Sequence, residues 1–105
     1  MLQITADKVA EIIILAREGK RGEAELAAFI DGLNEDEQAS LVALMWIGRG
    51  SFEAEELAEA IETARQEATT PTATYLSGSP HLADHLENGL DALGISARDA
   101  EDDLY

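Results

Sequence analysis

The sequence predicts an all-α fold, a compact orthogonal or bundle-like domain of about five helices around a central apolar helix near residues 35–48. Three observations carry this. The apolar residues are mostly aliphatic helix formers: alanine, leucine and isoleucine supply 18, 13 and 8 of them, against two valines and five aromatics. Those residues recur at spacings of three and four, the period of one helical face. Helix start and stop signals punctuate the chain at matching intervals.

Thr5 is placed to cap a first helix, with Asp7 in its positive first turn. Val9, Ile12, Ile13, Leu15 and Ala16 form its apolar face, and Gly19 ends it. A short basic connector, Gly19-Lys20-Arg21-Gly22, leads to a second helix over about 23–32 with Leu26, Ala27, Phe29 and Ile30 inward. Asn34 stands three residues before Glu37, the spacing of a capping box, so a third helix is expected to begin at Glu35. Its residues 41–47 are apolar without interruption, and a helix apolar all round must be covered on all sides. This places the third helix at the centre of the fold or at a subunit interface.

Gly48-Arg49-Gly50 closes that helix, and Ser51 is the expected cap of a fourth running to about residue 68. Glu53, Glu55, Glu56, Glu59 and Glu62 give it an outward acidic face. Thr69-Thr70-Pro71 breaks the chain, and residues 72–76 suit one short helical turn. Ser79 as cap with Pro80 in the first helical position predicts a fifth helix over about 80–93, stopped by Gly94, with Leu82, Ala83, Leu86, Leu90 and Leu93 inward. Residues 1–95 read as a single domain. Residues 96–105 read as an acidic tail expected to fray, in which Leu104 and Tyr105 are able to dock.

The chain has 105 residues and a formal net charge of −15. At this length it should bury roughly 65% of its unfolded surface, enough for one core. Its acidity repels phosphate backbones and anionic headgroups, which argues against nucleic-acid and membrane partners. The longest apolar run, 41–47, is far short of the roughly 20 residues of a membrane span. The first residues lack the basic head and cleavage site of a secretory signal, so a cytoplasmic location is expected. With no cysteine, disulfides, thiolate zinc sites and a cysteine nucleophile are excluded. The charge is uneven: residues 1–52 carry 5 basic and 9 acidic side chains, residues 53–105 carry 2 and 13. That surplus reads either as a solvated surface that aids solubility or as a face for a basic partner or nucleic-acid mimicry.

The string Phe29-Ile30-Asp31-Gly32-Leu33-Asn34-Glu35-Asp36-Glu37-Gln38, continued by Leu41-Val42-Ala43-Leu44-Met45-Trp46-Ile47-Gly48-Arg49-Gly50, resembles a small bacterial family catalogued as a domain of unknown function. The segment Thr72-Ala73-Thr74-Tyr75-Leu76-Ser77-Gly78-Ser79-Pro80, with Leu82-Ala83-Asp84 and Gly89-Leu90, fits the same pattern, so the resemblance spans roughly residues 23–94. Ser51 and Leu57 stand where the pattern has an acidic residue and a tryptophan. The resemblance implies a small cytoplasmic helical protein without an established activity, and it supplies no catalytic residues.

Several side chains are candidate site residues. His81 and His85, four apart with Asp84 between, share a helical face and could hold a metal with a carboxylate from elsewhere; the alternative is a pair of surface or structural histidines. Arg49, between two glycines, could bind an anion or ligand together with the Ser77-Gly78-Ser79 turn, with Tyr75 beside it. Its alternative is a structural salt bridge to Asp84, Glu87 or another acid. Trp46, inside the most apolar helix, reads as a core or interface anchor. Tyr75 also reads as a packed ring with its hydroxyl on a polar partner. No phosphate-cradling loop, dinucleotide fingerprint, serine elbow or EF-hand spacing occurs, and no cofactor is indicated. The expected function is therefore a non-enzymatic interaction module, as a homodimer through apolar helix faces or with a basic protein partner. The alternative is a small ligand-binding domain or enzyme with its pocket near Arg49 and residues 75–80.

Overall fold

The apolar third helix is packed into the middle of the chain. The computed structural model describes residues 2–67 and 70–95. Among them are six α-helices and no strand: α1 (Ala6–Arg17), α2 (Glu23–Asp31), α3 (Glu35–Gly48), α4 (Leu57–Gln66), α5 (Thr72–Ser77) and α6 (Leu82–Ala92). Short 3-10 turns at Gly19–Arg21 and Ala54–Glu56 precede α2 and α4. Helix α3 packs chiefly against α6 and α4, α1 packs on α6 and α2, and α2 packs on α5. One cluster of buried side chains joins all six, with Val9, Ile12, Ile13, Leu41, Leu44, Met45, Leu86 and Leu90 completely buried. Burial of each such large side chain contributes about 1.5–3 kcal/mol.

The first three helices start where their local signals put them. Thr5 Oγ1 accepts from the Lys8 backbone N–H at 3.3 Å. The capping box of α3 is complete: Glu37 N–H donates to Asn34 Oδ1 at 2.7 Å, and Asn34 N–H donates to Glu37 Oε1 at 3.1 Å. The other oxygen of Glu37 takes Lys8 Nζ of α1 at 2.5 Å, so one carboxylate caps the start of α3 and ties it to α1. Gln38 donates its amide to the carbonyls of Ile30 and Leu33, satisfying the end of α2. Buried Ser40 accepts the Gln3 N–H at 2.9 Å and anchors the chain ahead of α1.

Helices α3 and α6 cross with their backbones in contact. A Cβ on Gly48 would lie on the carbonyl oxygen of His85 and 2.9 Å from the backbone nitrogen of Gly89. A Cβ on Gly89 would lie on the carbonyl oxygen of Leu44 and 2.9 Å from its Cδ1. Backbone atoms of packed helices cannot retreat, so any side chain at either position forces the helices apart.

Two helix starts differ from expectation. Ser51 does not cap α4: its hydroxyl is taken by Arg49 Nε at 3.0 Å. Glu53 instead opens the 3-10 turn, its backbone N–H donating to Glu56 Oε1 at 2.7 Å in a second capping box, and α4 itself begins only at Leu57 without a side-chain cap. Ser79 and Pro80 do not open the last helix either. Ser79 Oγ donates back to the Tyr75 carbonyl at 3.1 Å, and His81, in the left-handed region at φ 59°, stands at the cap of α6. The segment 72–76 extends by a residue into α5, a helix in its own right, so the described residues hold six helices where about five were expected. Gly94 ends α6 with φ 78° as expected. The tail 96–105, with its docking residues Leu104 and Tyr105, and residue 68 at the expected end of the fourth helix lie outside the described residues.

Gly48→Ala and Gly89→Ala should each cost about 2–3 kcal/mol and lower the thermal midpoint by about 10 °C or more. Gly32→Ala, whose new Cβ would meet its neighbours at an ordinary 3.5 Å, should change stability by less than about 0.5 kcal/mol. Equal melting of all three variants would refute the close crossing.

The side-chain hydrogen bond from Lys8, followed by the backbone hydrogen bond from Asn34, holds the Glu37 pKa below the usual glutamate range. Since folding lowers this pKa, the resulting stabilisation is complete above the unfolded carboxylate's pKa and is lost as pH falls through the lower folded value. An NMR titration should find Glu37 low, and Lys8→Ala should raise it. A titration indifferent to Lys8 would exclude the ion pair as the cause. Asn34→Ala should destabilise the protein by about 1 kcal/mol.

Candidate functional site

One face of α3, buried at Ala39 and Val42 and partly exposed at Trp46, forms the floor of a cleft. Glu35, Ala39, Val42 and Trp46, spaced by four, three and four residues, line up along it, with Gln38 beside them. The C-terminal end of α4 supplies one wall through Ala64, Arg65 and Glu67. Thr70, Pro71 and α5, through Thr72 and Tyr75, supply the other. Two adjoining cavities of 540 Å³ and 210 Å³ share Val42, Ala64, Thr70 and Thr72, so they form one continuous cleft.

An aromatic cluster closes one end. Trp46 Nε1 donates to the Tyr75 hydroxyl at 3.0 Å, and Phe52 stacks on the indole with centroids 5.7 Å apart and planes at 22°. The local chain explains the stack. Gly50, at φ 90°, turns the chain out of α3, and Ser51 N–H donates to the Trp46 carbonyl at 2.9 Å, bringing Phe52 back over the ring. Trp46 and Phe52 are half-buried, and Tyr75 is 36% exposed, a large ring left at the surface. Trp46 is thus packed on one side and open to the cleft on the other.

The rim is acidic. Glu35 and Glu67 line opposite ends of the cleft and both are exposed. Arg65, the one cation among the described lining residues, is engaged by Asp36 at 2.5 Å. Glu53, Glu55 and Glu56 at the 3-10 turn ahead of α4, and Glu59 and Glu62 on α4, are also exposed. An apolar floor, aromatic faces and carboxylates at both ends suit an apolar group flanked by cations.

The sequence-predicted residues separate into three places. Trp46 and Tyr75 come together in the cleft. Arg49 is exposed beside Ser51, while Glu87, one of its expected acidic partners, is paired with Arg17 of α1. Ser77, Ser79 and His81 border a separate 390 Å³ cavity with Arg17, Glu23 and Asp84, and Arg49 is not among its lining residues. His81 and His85 do face each other, edge to face with centroids 6.4 Å apart. Among the described residues no group of three His, Asp or Glu side chains stands ready to hold a metal. His85 Nδ1 is buried without a hydrogen-bond partner there.

Sequence reasoning missed Val42, Ala64, Thr72, Phe52 and Glu67 as parts of a site. A usable signal was present for α3, where Glu35, Ala39, Val42 and Trp46 share one stripe. The walls come from residues remote in sequence, and only the fold brings them in.

No curated protein and no solved structure matches the chain. A family model described as a protein of unknown function, DUF3775, matches residues 23–95. The matched segment takes in α2 through α6, and with it every residue that lines the cleft. The chain belongs to the DUF3775 family of proteins of unknown function.

Proposed function

We propose that the protein is a non-enzymatic interaction module of the cytoplasm that presents an acidic surface to a basic protein partner. The observation that carries this reading is the row of five exposed glutamates at residues 53–62, three ahead of α4 and two on it, together with a cleft whose rim is also acidic. Carboxylates in such a row raise the local negative potential together and speed the encounter with a cationic surface. Self-association is less well supported. The apolar side chains of α1 and α3 that favoured it, Val9, Ile12, Ile13, Leu41 and Leu44, are covered within the chain. Among the described residues no helix is long and apolar enough to cross a membrane.

Immobilised protein should retain basic proteins from a host extract at low salt and release them at moderate salt. A variant with Glu55→Gln, Glu59→Gln and Glu62→Gln should retain several-fold less of the same set while melting at the parent temperature. Identical retention by parent and variant, or capture that resists salt, would overturn the reading.

A further inference from the structure

We propose that the cleft between α3, α4 and α5 is a docking groove for a short extended segment of a partner protein, with an aromatic or large aliphatic anchor flanked by Lys or Arg. This rests on the reading of the domain as an acidic interaction module, and adds where the partner sits and what its segment carries. Size comes first. From Glu35 to Trp46 the floor rises along α3 by about 16 Å at 1.5 Å per residue. That length accommodates about five residues of extended chain at 3.3 Å each.

Chemistry gives the segment its pattern. The Trp46 end is lined by Val42, Ala64 and the Tyr75 ring, which together take a large apolar side chain. Trp46 stays partly open there because Tyr75 and Phe52 hold its indole in place. Glu67 lies beside this apolar end and Glu35 at the far one, so a cation on each side of the anchor meets a carboxylate. Arg65 does not oppose it, being tied to Asp36. The aromatic faces themselves attract ammonium and guanidinium groups.

Charge also decides against other occupants. A second copy of the chain brings another −15, and the chain's own C-terminal residues include Asp99, Glu101, Asp102 and Asp103. A nucleic acid has the same sign. A basic protein segment is the occupant of opposite charge.

Trp46 is the single tryptophan of the chain, so its emission reports on the groove directly. The probe is a blocked peptide, Lys-Lys-Phe-Leu-Lys-Lys, titrated into the full chain at low salt and compared with Lys-Lys-Ala-Ala-Lys-Lys by fluorescence and calorimetry. The first should shift Trp46 emission saturably and bind at least about tenfold more tightly than the second. Glu35→Gln with Glu67→Gln should weaken it about three- to tenfold, while Glu23→Gln with Glu25→Gln on α2 should weaken it less than twofold. All four positions are exposed, so these variants should keep the parent melting temperature.

Equal calorimetric binding of both peptides with Trp46 emission unmoved would overturn the groove and leave the acidic module standing. Binding of neither peptide would count against both. Emission that changes when the protein alone is diluted would put a second copy in the cleft and overturn the proposal.

Discussion

The backbone contact between α3 and α6 determines how the rest of the molecule is arranged. Packed helices ordinarily keep their axes 8–10 Å apart because side chains stand between them. At Gly48 and Gly89 that spacer is missing, and the carbonyls of His85 and Leu44 occupy the space a Cβ would need. The contact fixes the rotation of α3 about its own axis. With Leu44 and Gly48 turned towards α6, residues two positions earlier, Val42 and Trp46, lie about 200° around the helix on the opposite side. The face that meets α6 and the face that lines the cleft are therefore one decision. A side chain at Gly48 would disturb both.

The cleft stays open because its neighbours are engaged elsewhere. Helix α5 gives Ala73 and Leu76 to the core and packs mainly on α2, leaving Thr72 and Tyr75 as an edge rather than a cover. Helix α4 ends at Gln66, so Glu67 and Thr70 form a rim. Trp46 is in this way drawn out of an otherwise buried run. Its indole N–H needs an acceptor near the surface, and the Tyr75 hydroxyl supplies one. The same geometry gives the module an apolar place bordered by carboxylates, which supports reading it as a surface for a cationic partner.

What was legible in the sequence was the local part of the fold. Thr5, the Asn34–Glu37 box and Gly94 act within a few residues of themselves, and the helix ends they mark are where the spacing put them. Ser51 and Ser79 failed for local reasons. Ser51 is engaged by Arg49 and Ser79 by the Tyr75 carbonyl, while Glu53 with Glu56 offers a competing box that no serine signals. Gly48 reads in sequence as a stop signal, yet its role is the approach to α6, a partner about forty residues away. The candidate site was legible only in pieces. Trp46 and Tyr75 stood out singly, but their pairing across 29 residues is a product of the fold, as is the separation of Arg49 from Ser77 and Ser79.

The scarcity of positive charge ties these threads together. Lys8 joins α1 to α3 through Glu37, Arg17 joins α1 to α6 through Glu87, and Arg65 joins α4 to α3 through Asp36. Each pair links two helices, and the arginine and lysine side chains are about half exposed, so solvent screening leaves each pair a small contribution to stability. Their effect is on arrangement more than on stability, which comes from the aliphatic core. Half of the six cations among the described residues are thus directed inward, to acids of the same chain. The surplus of acid is left facing outward, where neutralising it from within would require cations the sequence does not have. A fold held by burial tolerates that surplus, and an external cation meets carboxylates rather than the fold's own bases.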